Sequence, residues 1–119
     1  GKAEGELIGG NLSLTKELVC GKYSIDFTDK ILFLESMGGE AALMSAFFNQ
    51  LKQMGVFSKV RGILLGTFTK MQENNISPTI EELLVKVIDN PNLPIAKTED
   101  IGHGSTSKCL IIGKNIILN

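Results

Sequence analysis

The heptapeptide KILFLES, Lys30 to Ser36, decides the architecture. Its apolar run, Ile31 to Leu34, is continuous and bounded by polar residues, which suits a strand buried on both faces of a sheet. VRGILLGTF, Val60 to Phe68, reads as a second buried strand. Between them, GGEAALMSAFFNQLKQMG carries the clearest helix: Leu43, Phe47, Leu51 and Met54, with Met44 and Phe48, recur at spacings of three and four. Gly55 follows as its C-cap.

Outward from this centre the pattern repeats. GELIGG reads as a short strand running into a glycine turn, and Asn11 then caps a brief helix over LSLTKELV, with Leu14 and Leu18 on one face. CGKYSIDFTDK is turn-rich and irregular. After the second strand, NNISPTIEELLVKVIDN holds a strong helix start: Ser77 before Pro78, then Thr79 with Glu82 three residues on as a capping box. Leu83, Leu84, Val87 and Ile88 form its apolar stripe. KCLIIGKNIILN, at the end, reads as two short strands around a turn at Gly113-Lys114-Asn115. Strands and helices alternate, so the fold class is α/β, a single small domain over 1–119 with a mixed sheet.

Composition narrows the function. The 119 residues fit one domain with a modest core, and 43% hydrophobic with 21% charged residues is ordinary for a soluble protein. Twelve Lys and Arg against 13 Asp and Glu leave a formal charge of −1, which gives no electrostatic reason to invoke nucleic acid or an anionic membrane. With six Phe, one Tyr and no Trp, no platform for stacking single-stranded bases is visible. No apolar run approaches the roughly 20 residues of a membrane-spanning helix, and the opening GKAEGELIGG lacks signal-peptide character. Cys20 and Cys109 make no disulfide framework, so a reduced, cytoplasmic setting is expected. One histidine and two distant cysteines do not make a zinc set, and no phosphate-loop pattern follows the glycines of LIGGN, so neither metal nor cofactor is expected.

Two residues stand out chemically. Glu35 closes an apolar strand, a common place for a catalytic group, and His103 in DIGHGSTSK is the chain's one histidine, set between two glycines. Together they suit a carboxylate–imidazole pair, in which the carboxylate accepts the Nδ1 proton so that Nε2 can act as a base. Such a pair needs a nucleophile. No G-x-S-x-G elbow exists, and Ser24, Ser105 and Ser107 read as ordinary loop serines.

GKAEGELIGGNLSL, KILFLES, LKQMGVFSKVRGILLGTF and IGHGSTSKCLIIGKNIIL run in the order seen in the LD-carboxypeptidase family, and the chain resembles the C-terminal domain of those enzymes over essentially its whole length. That family includes muramoyltetrapeptide carboxypeptidases and the microcin C immunity peptidases. The resemblance implies a swivelling β/β/α type of domain that supplies Glu35 and His103 to a Ser-Glu-His triad, with the serine and oxyanion hole in an N-terminal domain outside this chain. It implies Gly10 and Asn11 in a loop facing the cleft, and a serine peptidase that removes a terminal D-alanine from muramoyl tetrapeptides in cell-wall recycling. It further implies a homodimer of the full-length protein, and no peptidase activity in this chain alone. SMGGEAALMSAFF, after Glu35, departs from the acidic and aromatic pattern of the family, so substrate contacts from that stretch are not carried over. The rival reading is a non-catalytic binding or dimerisation module in which Glu35 and His103 are remnants. In either case an apolar patch is expected where a partner domain would pack.

Overall fold

The computed structural model describes residues 1–119. Strand β1 (Ala3–Asn11) leads into α1 (Leu12–Cys20), and β2 (Ile31–Ser36) into α2 (Ala41–Gln53). Strand β3 (Gly62–Phe68) leads into the short α3 (Thr69–Glu73) and then α4 (Ile80–Ile88). The short strands β4 (Ile95–Lys97) and β5 (Asn115–Leu118) complete the sheet, whose order is β4-β3-β2-β1-β5. The first four strands are parallel and β5 runs antiparallel to β1, so the sheet is mixed, as expected.

Strands β1 to β4 are laid down in chain order and always step in one direction. Right-handed crossovers therefore put every connecting helix on the same face. The main core lies there: Leu32 and Leu34 of β2 and Ile63 and Leu65 of β3 meet Leu12, Phe48, Leu51 and Leu84 from the helices. The opposite face would be bare without another cover. It is covered by the irregular segment 98–114, from which Ile101 and Leu110 pack on Leu7, Ile31 and Phe33. Both faces of β2 are thus filled, and all six of its residues are buried.

Local signals account for the helix starts. Asn11 Oδ1 accepts from the backbone N–H groups of Ser13 (3.1 Å) and Leu14 (3.3 Å). The capping box of α4 is complete: Thr79 Oγ1 accepts from Glu82 N–H, and the Glu82 carboxylate accepts from Thr79 N–H. Leu83, Leu84, Val87 and Ile88 are buried beneath it as the stripe requires.

Several expectations need correction. On α1 the buried residues are Leu12, Thr15 and Val19, while Leu14 is 65% exposed and Leu18 nearly half exposed. The pair does share a face, but that face points outward and forms, with Tyr23, a shallow apolar hollow of about 410 Å³. On α2, Met44, Phe48 and Leu51 are buried, whereas Leu43 and Met54 lie towards solvent. The terminal hairpin is only half present. Residues 115–118 form β5, but the preceding limb, 109–112, is not a strand; β5 pairs instead with β1, and Gly113 and Lys114, expected as the hairpin turn, extend that pairing, Gly113 N–H donating to Leu7 O and Leu7 N–H to Lys114 O, both at 2.8 Å. Strand β4, three residues long, and α3, five residues long, carry no sequence signal, each being too short to show a period.

Candidate functional site

Side chains alternate along a strand, so Glu35 shares a face with Ile31 and Phe33, the face covered by segment 98–114. Asn11, at the end of β1, is its register partner. Glu35 is only 9% exposed, and a carboxylate in that position needs partners. It has two. Asn11 Nδ2 donates to Oε1 at 3.4 Å, and His103 Nδ1 lies 2.7 Å from Oε2. With the carboxylate as acceptor, Nδ1 carries the proton, and in the neutral imidazole Nε2 keeps a free lone pair. Nε2 makes no hydrogen bond within the chain, and the His103 side chain is 42% exposed. The pair links residues 68 apart, and its outer nitrogen is accessible.

The histidine reaches Glu35 because its loop is pinned to β3. Thr98 N–H donates to Leu65 O and Thr67 N–H to Ile101 O, both at 2.8 Å. Gly66 makes the second contact possible, since a Cβ there would stand 2.5 Å from Ile101 O. A glycine interrupting a strand pattern marks such a close approach, and that was the available sequence signal for this docking point. The far side of the loop is tied by Lys108 N–H to Asp100 O (2.7 Å) and by the Lys108–Asp100 ion pair (2.8 Å).

The two glycines flanking His103 are not equivalent. Gly102 has φ +149°, and a Cβ on it would meet Thr67 Oγ1 at 1.8 Å; around Gly104 there is nothing within 4 Å. The first is required by packing and the second is not.

The serines occupy other roles. None donates to or accepts from His103. Ser107 Oγ accepts from Gly102 N–H at 3.0 Å, bracing the loop from within. Ser24 lies in the irregular segment after α1. Gly10 and Asn11 lie not in a loop but in the last two positions of β1, which runs straight through the expected glycine turn, opposite Leu34 and Glu35; Asn11 also lines a cavity of about 320 Å³ that touches Ser36, Met37, Gly39 and Phe47.

A second polar cluster anchors the start of the loop. Gln72 of α3 accepts from Phe68 N–H (2.6 Å) and donates to Glu99 (2.6 Å), which also pairs with Lys97. The Lys97 hydrogen bond, with help from Gln72, holds the Glu99 carboxyl below its ordinary value against the effect of burial.

A mixed sheet wound on one side, with a carboxylate–imidazole couple at the carboxyl ends of its parallel strands, defines an α/β domain equipped to move a proton. Comparison with known proteins gives the class a family. The chain belongs to the LD-carboxypeptidase family: the family model of the LD-carboxypeptidase C-terminal domain matches residues 4–118. Among relatives, a protein described as "Probable murein peptide carboxypeptidase" of Bacillus subtilis is 35% identical over 123 residues, covering 100% of this chain and 38% of the relative. The "Microcin C7 self-immunity protein MccF" of Escherichia coli is 28% identical, over 100% of this chain and 35% of that protein. In structure, MccF superposes with a TM-score of 0.85 at 28% identity, over 98% of this chain and 35% of MccF. A muramoyltetrapeptide carboxypeptidase from Oxalobacter formigenes shares the fold, with a TM-score of 0.81 at 21% identity, over 98% of this chain and 42% of that one. The chain therefore spans well under half the length of the proteins it matches.

Proposed function

We propose that Glu35 and His103 are the orienting carboxylate and the general base of a Ser-Glu-His triad whose serine belongs to a preceding nucleophile domain. The observation that carries this reading is the 2.7 Å contact between His103 Nδ1 and Glu35 Oε2, with Nε2 left unpartnered. A base needs its lone pair directed at an incoming hydroxyl, and no serine of this chain takes that place. The reaction is acyl transfer. The serine oxygen attacks the carbonyl before a C-terminal D-amino acid while His103 Nε2 takes its proton. The tetrahedral oxyanion collapses, and the same proton passes to the departing amine. Water then attacks the acyl ester, again giving its proton to Nε2, and the shortened peptide leaves with the serine restored.

The substrate we favour is a muramoyl tetrapeptide that loses its terminal D-alanine in peptidoglycan recycling, in keeping with the murein peptide carboxypeptidase at 35% identity. A microcin-type substrate is the second reading, favoured by the TM-score of 0.85 with MccF. Gly10 and Asn11 face the cleft in this scheme, and Asn11 supports it twice, by bonding Glu35 and by lining the adjacent cavity. A cytoplasmic setting accords with Cys20 and Cys109, both free and exposed. Dimerisation of the full-length protein is part of the same proposal.

The test is the full-length protein assayed for D-alanine release from a muramoyl tetrapeptide, beside a nucleotide-peptide substrate. His103→Ala is expected to lower kcat by about 10⁶-fold, with KM little changed. Undiminished activity in both His103→Ala and Glu35→Ala would overturn the triad reading and leave a non-catalytic module.

A further inference from the structure

Whatever orients His103 must act on the backbone at Gly102 and Gly104, because the ring itself has one partner only, Glu35. One residue touches both glycines. The Ser107 hydroxyl accepts from Gly102 N–H at 3.0 Å, and Ser107 N–H donates to Gly104 O at 3.1 Å. The chain on either side of the histidine is thereby gripped from a single position, five residues beyond Gly102. We propose that Ser107 is a positioning residue, which holds the His103 loop closed so that Nδ1 stays on the Glu35 carboxylate. The significance for catalysis rests on the triad reading above, but the geometric claim does not.

Gly102 has no side chain of its own and φ +149°, a conformation its backbone does not favour over its alternatives. On one side it is bounded by Thr67, whose N–H holds the carbonyl of Ile101. On its own amide it has only Ser107 Oγ. If the hydroxyl is removed, the Gly102 amide turns to water; the Ile101 carbonyl of that peptide stays on Thr67 N–H, but the Gly102–His103 peptide that carries the ring loses its tether to the far side of the loop. The ring then leaves a partner that it reaches across 2.7 Å and no more. Lys108, the next residue, still ties the base of the loop to Asp100, so the fold outside the tip is retained.

His103 is the chain's one histidine, so its imidazole signals in a nitrogen-correlated NMR spectrum are unambiguous. The parent chain is expected to show predominantly the Nδ1–H tautomer, fixed by the carboxylate. Ser107→Ala is expected to increase the fraction of loops with the ring detached by about fivefold, the factor one lost hydrogen bond carries. It is read as growth of the Nε2–H tautomer and faster exchange of the Gly102 amide. Ser107→Thr keeps the hydroxyl and is expected to restore the parent spectrum, its extra methyl being accommodated at an exposed position. Ser105→Ala, which removes a hydroxyl with no hydrogen bond, serves as the control and should change nothing. An unchanged tautomer ratio and Gly102 exchange rate in Ser107→Ala would overturn the proposal, as would failure of Ser107→Thr to restore them. In the full-length protein Ser107→Ala should lower kcat and leave KM near its parent value. If the tautomer responds but neither Ser107→Ala nor His103→Ala affects turnover, the positioning stands and the triad reading falls.

Discussion

Adding one methyl group at Gly102 tests how the histidine is held. In Gly102→Ala the new Cβ would lie 1.8 Å from Thr67 Oγ1, 2.9 Å from Thr67 Cβ and 3.2 Å from Thr67 N. Rotating the threonine side chain relieves only the first of these contacts. Thr67 N–H is bonded to Ile101 O and lies in β3, so the strand cannot retreat and the loop must lift. With the hydroxyl turned away, bringing the 2.9 Å contact out to ordinary packing distance calls for a displacement of about 1 Å at Gly102. A hydrogen bond of 2.7 Å between His103 and Glu35 does not survive a shift of that size in the adjoining residue. The backbone adds its own cost, because φ +149° is a region that L side chains rarely adopt, at about 1–3 kcal/mol. Lifting the loop relieves part of both terms, so we expect a loss of about 1–2 kcal/mol in urea unfolding. The Nδ1–H signal expected for His103 on Glu35 should disappear with it. Gly104→Ala is the matched control, since a Cβ there meets nothing within 4 Å, and it should retain both stability and signal. A Gly102→Ala protein with the parent Nδ1–H signal would refute the packing argument, and so would equal damage from Gly104→Ala.

Two further perturbations separate structure from site. Asn11→Ala removes the α1 cap and the second partner of Glu35, and should cost about 1 kcal/mol in chemical denaturation; Asn11→Ser keeps a capping oxygen and should recover most of it, so equal losses would mean the cap is not the main term. Glu99 titrates in the folded state below its ordinary value of 4.5, so the stability it contributes is present above that value and lost as the pH falls through the lower, folded one. Glu99→Gln should therefore flatten the acid limb of the stability–pH curve; an acid limb identical to the parent's would show that the Lys97–Gln72 cluster does not hold this carboxylate.

What could be read in the sequence follows from where each signal is stored. KILFLES and VRGILLGTF declare buried strands because burial on both faces leaves an unbroken apolar run. The α4 capping box is legible because all of its atoms lie within four consecutive residues. The outward turn of Leu14 and Leu18 was not legible, since periodicity tells which residues share a face and not which face the core takes. The missing limb of the terminal hairpin was hidden for a related reason. The residues that do pair, Gly113, Lys114 and β5, pair with β1 more than a hundred positions earlier, and no local pattern records a long-range partner. Glu35 and His103 could be singled out by type and setting, and their union could only be supposed. Ser107 reads as an ordinary loop serine because its contacts are with backbone amides and carbonyls, which sequence does not display.

The meeting of Glu35 and His103 is a consequence of winding direction. A sheet whose parallel strands step steadily to one side receives all its helices on one face. The other face must then be covered by whatever chain remains, here the segment between β4 on one edge and β5 on the other. To travel between those edges it must pass over the middle strands. Its start is fixed at β3 by the Thr98 and Ile101 contacts, and its end at β1 by the Gly113 and Lys114 contacts. Strand β2 lies between these two points, and the alternation that puts Phe33 beneath the crossing puts Glu35 there too, at the open end of the sheet. A residue at position 103 is thus brought to position 35 by the same covering that buries the second core. Loosening that cover should therefore weaken the pair and the small core together. Substitutions confined to the helix-side core should lower stability while leaving the folded-state geometry of the pair intact.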